Sequence, residues 1–305
     1  MPDIAVIIPT RNRAALLEKC LESLSAQTLA PERYEICVID NGSTDNTKET
    51  ITAVAAHHKD RNIVVTEEAK PGVAVARNRG LAATKAPLIA LADDDTMPPP
   101  DWLARYIDGM EKLGPEVVKI AGTYAPVWGA PRPAWLTDGM LPMLSAAAGP
   151  ELKPGFTDLP MLEGNSCYRR AALERFGGFP VQLGRSGASL ISGEHMVDLV
   201  MRVHGGKLYY DPAIVVDHHI HAERLTPLWM RQRYFWQGVS DYAARVYLKK
   251  MGISIDHAVR IEMPLAASDW AFVNDANLPP TEQNLDRLRS LGLVLAKTGI
   301  IPVEA

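Results

Sequence analysis

The chain has 305 residues, of which 47% are hydrophobic, enough for one large α/β domain or two smaller ones with a substantial buried core. Its net charge of -4 gives no general case for nucleic-acid binding, and no arginine-rich tail is present. Cys20, Cys37 and Cys167 are odd in number and far apart, which excludes a disulfide framework or a cysteine zinc site and fits buried free thiols in a reducing cytoplasm. Met1-Pro2-Asp3 leads directly into strand-like residues, unlike a signal peptide. No run approaches the roughly 18 apolar residues of a membrane span. A soluble, cytoplasmic protein is expected, with peripheral contact to the inner face of the membrane left open.

In chain order, Ile4-Ala5-Val6-Ile7-Ile8 is an apolar run of strand length stopped by Pro9, and Leu16, Leu17, Cys20, Leu21 and Leu24 then recur at helical spacing. Residues 35–39 predict a second strand ending at Asp40-Asn41-Gly42, followed by a helix that runs towards Ala56. Short strands are expected at 63–65 and 88–92, and helices at 73–83 and 102–113. This alternation predicts a mostly parallel sheet with helices on both faces. After Val117-Val118-Lys119-Ile120 the regularity fades. Residues 123 to 160, rich in Pro and Gly, read as a long functional or mobile loop carrying Trp128 and Trp135. Patterns resume from Met161 to Lys250, and the clearest later helix lies between Glu282 and Lys297.

The apolar run 88–92 ends in Asp93-Asp94-Asp95. Three adjacent like charges repel unless something cationic neutralises them, and hard carboxylate oxygens suit a divalent cation that substrate phosphates share. A solvated loop before a helix is the alternative. In a parallel α/β sheet, ligands bind outside the carboxyl ends of the strands. Those ends are Pro9-Thr10-Arg11-Asn12, Asp40-Asn41-Gly42-Ser43, Glu67 to Gly72 and the acidic triplet. The first lacks the glycine pattern of dinucleotide folds and the Gly-Lys-Ser/Thr of phosphate loops.

These pieces, in this order, resemble the family-two inverting nucleotide-sugar glycosyltransferases of the GT-A fold. The matching segments are residues 6–13 (Val-Ile-Ile-Pro-Thr-Arg-Asn-Arg), residues 38–45 (Val-Ile-Asp-Asn-Gly-Ser-Thr-Asp), and Pro71-Gly72 followed by Ala76-Arg77-Asn78-Arg79-Gly80. The triplet stands in place of the family's Asp-x-Asp motif, and Asn165 and Gly177-Gly178-Phe179 resemble its later elements. The resemblance covers roughly residues 1 to 250. It implies an α/β, GT-A type fold: a mostly parallel, Rossmann-like sheet flanked by helices. Residues 1–122 would form the nucleotide-sugar-binding half, 123–250 the acceptor-side half and 251–305 a helical C-terminal extension.

The resemblance also implies roles. Asp40 would contact the donor's base or ribose, as an acceptor-only side chain can. Pro9, Thr10 and Arg11 would form the first-loop nucleotide contacts. Arg77 and Asn78 would lie near the nucleotide, Arg suiting diphosphate through its planar fork; an exposed helix charge is the alternative for Arg77. Asp95 would touch the metal, Mn²⁺ or Mg²⁺, with Asp93 and Asp94 towards ribose or bound water. Glu194, in Ser192-Gly193-Glu194-His195-Met196-Val197-Asp198, would be the general base. Here the chain departs from the family: His195 replaces the usual second acid and the spacing to Asp198 is longer, so His195 stays open as the base. Asp198 and Arg202 are spaced for an i,i+4 ion pair or a loop brace.

Of Asp217-His218-His219-Ile220-His221, His218 best matches the family's histidine at the metal or diphosphate. Alternation puts His219 and His221 on the opposite face. Residues 224 to 250 combine Arg224, Arg231, Arg233 and Arg245 with Trp229, Tyr234, Phe235 and Trp236. This helix would close over the diphosphate, lie on an anionic membrane or pack its aromatics into the core. Trp128 and Trp135 would stack on acceptor sugar or pack a cover loop. The expected function is metal-dependent inverting transfer of a sugar from a nucleoside-diphosphate donor, with UDP the first-ranked carrier, to a hydroxyl of an unidentified acceptor. The alternatives are a nucleotidyltransferase and a non-catalytic nucleotide-sugar binder.

Overall fold

A computed structural model describes residues 1–146, 153–184, 190, 193–253 and 280–303, with the backbone alone at 194. The N-terminal part alternates β1 (Ile4–Thr10), α1 (Ala14–Ser25), β2 (Tyr34–Asp40), α2 (Thr47–His57), β3 (Ile63–Glu67), α3 (Val73–Ala83) and β4 (Leu88–Ala92). It continues through β5 (Thr96–Met97), α4 (Trp102–Leu113) and β6 (Val117–Trp128). Then come β7 (Gly155–Thr157), β8 (Asn165–Arg169), α5 (Arg170–Arg175), α6 (Val197–Val203), β9 (Lys207–Ile220), α7 (Pro227–Lys250) and α8 (Glu282–Lys297). One sheet runs β3-β2-β1-β4-β8-β6-β9-β5, with β7 also on β9. Strands β3, β2, β1 and β4 are mutually parallel, and antiparallel pairing begins where β8 meets β4.

Strand periodicity explains the layering. Ile4, Val6 and Ile8 of β1 join Val38, Leu17, Ile51 and Trp102 in one buried cluster on the face covered by α1, α2 and α4. The alternate residues Ala5 and Ile7 join Cys37, Ile39, Ala76 and Phe179 on the α3 face. Gly80 of α3 is required here: a Cβ would stand 2.6 Å from Ile7 Cγ2. All three cysteines are free and buried, as the apolar patterns around Cys20 and Cys37 require. Asn165 locks α4 onto β8. Its Oδ1 accepts from Trp102 Nε1 and Tyr106 Oη, both at 2.8 Å, and its Nδ2 donates to the Thr123 and Ile214 carbonyls.

The long loop expected over residues 123–160 needs correcting. Residues 123–128 are not loop: β6 continues to Trp128 because β9 supplies a parallel partner along Thr123–Trp128. That strand also runs through residue 122, so one sheet crosses the line expected between the two halves. Residues 138–144 form a 3₁₀ turn, and 147–152 of the expected loop lie outside the described residues. Trp128 and Trp135 pack against Leu136, Met140, Ile220 and Leu285, the cover-loop reading.

The expected C-terminal helix is α8, and it packs along α7. The two touch backbone to backbone: a Cβ at Gly238 would fall 1.8 Å from the Arg289 carbonyl, and one at Gly292 would fall 2.0 Å from the Phe235 carbonyl. Met230, Tyr234, Phe235 and Tyr247 of α7 are buried, so the aromatics of this helix serve the core. No helix among the described residues is long and apolar enough to cross a membrane. Gly292→Ala is expected to lower unfolding free energy by about 1–3 kcal/mol, because backbone cannot yield as a side chain does. Urea denaturation measures this, and an unchanged midpoint would refute the close crossing.

Candidate functional site

The carboxyl ends of β1, β2 and β4 open at the point where the strand order reverses direction, β1 lying between β2 and β4. A cavity of about 590 Å³ lies there, within the 300–1,000 Å³ range of ligand pockets. Pro9, Thr10, Arg11, Asn41, Gly72 and Arg77 line it, together with the whole acidic triplet. The same cavity reaches Glu163, His195, His218, Arg224, Arg233 and Arg289.

Each carboxylate of the triplet has its own partners. Asp93 accepts from Arg77 Nη2 at 2.9 Å. Asp94 accepts from the Thr10 hydroxyl at 2.8 Å. Asp95 accepts from Arg13 Nη1 at 2.9 Å, with Arg224 Nη2 at 3.4 Å and His221 Nε2 at 3.7 Å. Burial and the adjacent Asp95 charge push the Asp94 pKa up. Burial acts on Asp95 in the same direction, but the neighbouring His221 and His218 and the Arg224 and Arg13 guanidiniums outweigh it and hold that carboxyl low. Asp95 is therefore the charged centre of the cluster, and the solvated-loop alternative fails because Asp94 and Asp95 are buried.

His218 bears on whether a cation fits. Its Nδ1 stands 3.1 Å from the Ser145 carbonyl, an acceptor only, so Nδ1 carries the proton. Burial lowers its pKa, against the pull of Asp95, and favours the neutral ring. Nε2 then presents a lone pair to Asp95 Oδ1 at 3.6 Å. Two electron-pair donors face each other across a gap close to an octahedral ligand edge of about 3 Å. A proton on the far nitrogen held by a carbonyl is the usual support of a metal-bound histidine. Among the described residues no group of three or more His, Cys, Asp and Glu could hold an ion unaided. A cation on Asp95 and His218 would thus need oxygens from a ligand or water, the pattern usual for Mg²⁺-type sites.

The donor-side residues fall into two groups. Asp40, 2% exposed, accepts from Ser43 N on Oδ1 at 2.8 Å. Its Oδ2 has no hydrogen-bond partner among the described residues, with Lys48 Nζ 3.9 Å away. Beside it, Asn41 ties the β2 end to the next loop through Gly72 N and the Glu68 and Lys70 carbonyls. Arg11 is exposed at the cavity. Arg77 is buried, not an exposed helix charge, and lies 3.9 Å from Glu163 Oε2 and over the Phe179 ring. Asn78 departs from its expected place near the nucleotide. Its amide donates to the Phe179 carbonyl and accepts from the Phe179 N-H, both at 2.8 Å, so it clamps the Gly-Gly-Phe turn. Thr10 likewise spends its hydroxyl on Asp94.

Below the cavity lies a buried ionic group that the sequence did not signal. Lys119 Nζ donates to Asp198 at 2.7 Å and lies 3.8 Å from Glu163 Oε1. Tyr168 Oη lies 2.8 Å from Asp198 and 3.1 Å from Glu163. The expected Asp198–Arg202 pair does not form. Asp198 turns inward to Lys119 and the Met161 N-H, and Arg202 pairs with Asp158 at 3.0 Å. Above this group His195 lines the cavity, its Nδ1 3.9 Å from Glu163 Oε2. Gly193, at φ +152, lets the chain turn into the 3₁₀ segment Glu194–Met196. The Glu194 side chain lies outside the described residues.

Arg13, His221 and Glu163 are the site residues missed from the sequence. Arg13 stood within the first-loop segment, and His221 was assigned to the wrong face by alternation. The strand ends at Ile220, and His221 turns in towards Asp95 after the period-2 register has stopped.

Residues 5–150 match the family model described as Glycosyl transferase family 2. Glycosyltransferase AglE of Haloferax volcanii is 33% identical over 118 residues, 39% of this chain and 38% of that protein. The chain therefore spans well under half the length of that relative. Glucosyl-dolichyl phosphate glucuronosyltransferase of the same organism is 24% identical over 254 residues, 78% of this chain and 75% of that one. Among solved structures, the mannosyltransferase PcManGT from Pyrobaculum calidifontis, in complex with GDP-Man and Mn²⁺, superposes with a TM-score of 0.62 at 18% identity. The match covers 97% of this chain and 75% of that one, and the two share the GT-A fold.

Proposed function

We propose that this chain, whose residues 5–150 match the family-two glycosyltransferase model and whose fold is GT-A, transfers a sugar from a nucleoside-diphosphate donor to an acceptor hydroxyl, with inversion and with a divalent cation. The observation that supports this most is the facing pair of Asp95 Oδ1 and His218 Nε2, 3.6 Å apart in a cavity that opens at the strand ends. Asp95 and His218 would hold Mn²⁺ or Mg²⁺, which when bound supplies Lewis-acid neutralisation of the departing diphosphate. Arg13 and Arg224 already flank Asp95 and add fixed positive charge at the same corner.

Asp40 Oδ2, buried and short of a donor, suits the imide N-H of a pyrimidine or an N-H of guanine. UDP remains the first-ranked carrier on that chemistry, and GDP the second. Direct displacement needs a base opposite the leaving group. Glu194 takes that role, at the start of a 3₁₀ segment that presents its neighbour His195 to the cavity. A second reading, favoured by the position of His195 beside Glu163, makes His195 the base and Glu163 the carboxylate that orients it.

A thermal-shift screen of UDP, GDP and dTDP sugars with Mn²⁺ tests the proposal. One donor at a hundredfold excess over its Kd is expected to add about 2.7 kcal/mol of stability. No stabilisation by any of them would sink it.

A further inference from the structure

The buried ionic group beneath the cavity takes no part in the donor corner. Lys119 of β6 and Asp198 of α6 are both 0% exposed, and they grip one peptide from two sides. Lys119 Nζ donates to the Met161 carbonyl at 2.6 Å and to Asp198 Oδ2 at 2.7 Å. The same Asp198 oxygen accepts from the Met161 N-H at 2.9 Å. Asp198 Oδ1 accepts from the Tyr168 hydroxyl of β8 at 2.8 Å. One ion pair thus ties α6, β6, β8 and the loop at residue 161 together.

Both ends of this clamp reach the cavity. On one side, Met161 leads into Leu162, Glu163 and Gly164, which line it. Gly164 lies against the triplet, since a Cβ there would stand 2.2 Å from Asp93 Oδ2. On the other side, the 3₁₀ segment Glu194–Met196 runs without a break into α6 at Val197. Asp198 therefore follows Glu194 by about one helical turn. Helix α6 has only 7 residues and no side-chain cap at its start. Val197, Val200 and Met201 bury it against the core, but apolar contact is non-directional and leaves the rotation of so short a helix unset. The three directed bonds of Asp198 set it.

Stability does not account for the pair. Desolvation of two buried charges offsets most of their attraction, and apolar replacements of similar volume are often neutral or stabilising. We infer that Lys119 and Asp198 are positioning residues, which hold the turn bearing the general base at a fixed distance from the donor corner. The inference rests on the proposal that Glu194 or His195 is that base. A misplacement of about 1 Å can cost on the order of a hundredfold in rate. Locking the turn therefore matters more to turnover than to folding.

The test compares two variants of the full chain with Mn²⁺ and whichever UDP, GDP or dTDP sugar binds. Turnover is read as donor hydrolysis: the base takes a proton from water, whose oxygen bonds to the anomeric carbon as the bond to the diphosphate oxygen breaks. Lys119→Met combined with Asp198→Leu removes the clamp but keeps a packed core. Its urea midpoint is expected to equal or exceed that of wild type, with turnover down about tenfold or more and nucleotide Kd within about twofold. Asp198→Asn keeps an acceptor for the Met161 N-H but leaves Lys119 without its counter-charge. It is expected to lower the midpoint yet retain turnover within about threefold. A purely structural pair would make turnover follow stability, so the opposite ranking of the two variants is the signature. Amide hydrogen exchange at Met161 and Met196 reads the clamp directly, and is expected to quicken about tenfold in the double variant. Wild-type turnover in the double variant, or unchanged exchange at those amides, overturns the inference while leaving the donor reading intact. Loss of nucleotide affinity in the double variant also overturns it, because the pair would then serve the donor corner. Failure of every nucleotide to bind with Mn²⁺ is the distinct result that removes the donor reading and this inference with it.

Discussion

Asp95→Asn is expected to reduce sugar transfer about a hundred- to a thousandfold, the usual cost of removing one fixed group that stabilises developing charge. Asparagine keeps the shape and one acceptor oxygen but removes the charge that Arg13, Arg224, His221 and His218 surround. Nucleotide affinity is expected to become indifferent to Mn²⁺, because the oxygen facing His218 Nε2 would no longer be anionic. Asp93→Asn is the control. That side chain is 37% exposed and pairs with Arg77, so its loss is expected to weaken nucleotide binding while leaving the Mn²⁺ dependence in place. Steady-state transfer and nucleotide binding with and without Mn²⁺ separate the two variants. Undiminished turnover in Asp95→Asn would remove Asp95 from the metal site.

Glu194→Gln carries the second large effect, a loss of about a hundred- to ten-thousandfold in turnover, the range spanned by general-base catalysis. Nucleotide affinity is expected to stay within about twofold, since a base acts on the acceptor proton and not on the donor. His195→Asn distinguishes the neighbouring reading. With Glu194 as base, His195→Asn costs far less than Glu194→Gln, and activity persists below pH 6. With His195 as base, the order of the two variants reverses, and wild-type activity falls off on the acid side as the imidazole takes up a proton. Glu163→Gln then acts as a positioning test: it is expected to shift the acid limb of the profile only in the second case.

The parts of this molecule that periodicity governs were legible in its sequence. Helices α3, α4 and α8 span the predicted residues 73–83, 102–113 and 282–297, and β4 spans 88–92, because each run is bounded by Gly, Pro or a polar cap and has one clear period. The four strand ends meet at one cavity, as the parallel-sheet rule requires. What stayed hidden depended on partners remote in the chain. The extension of β6 to Trp128 exists only because β9 lies alongside. Lys119, within Val117-Val118-Lys119-Ile120, finds its partner only in the fold, where Asp198, 79 residues away, is placed against it. Asn78 looked like a ligand contact because amides serve both purposes, and only the Phe179 backbone shows which one it serves. Arg13 lies two places past Arg11, the last first-loop contact singled out, yet it makes the shortest ion pair to Asp95. A charged residue one step beyond a strand-end motif is the signal that could have found it.

The central claim is that Asp95 and His218 bind a divalent cation together with the diphosphate of a nucleotide. Calorimetric titration of UDP and GDP into the full chain, once with Mn²⁺ and once with the metal chelated, measures that linkage directly. One nucleotide is expected to bind at least about tenfold more tightly with Mn²⁺, a coupling of roughly 1.4 kcal/mol that must appear equally in the affinity for the metal. Equal affinity with and without metal, or no binding of either nucleotide, would contradict the claim.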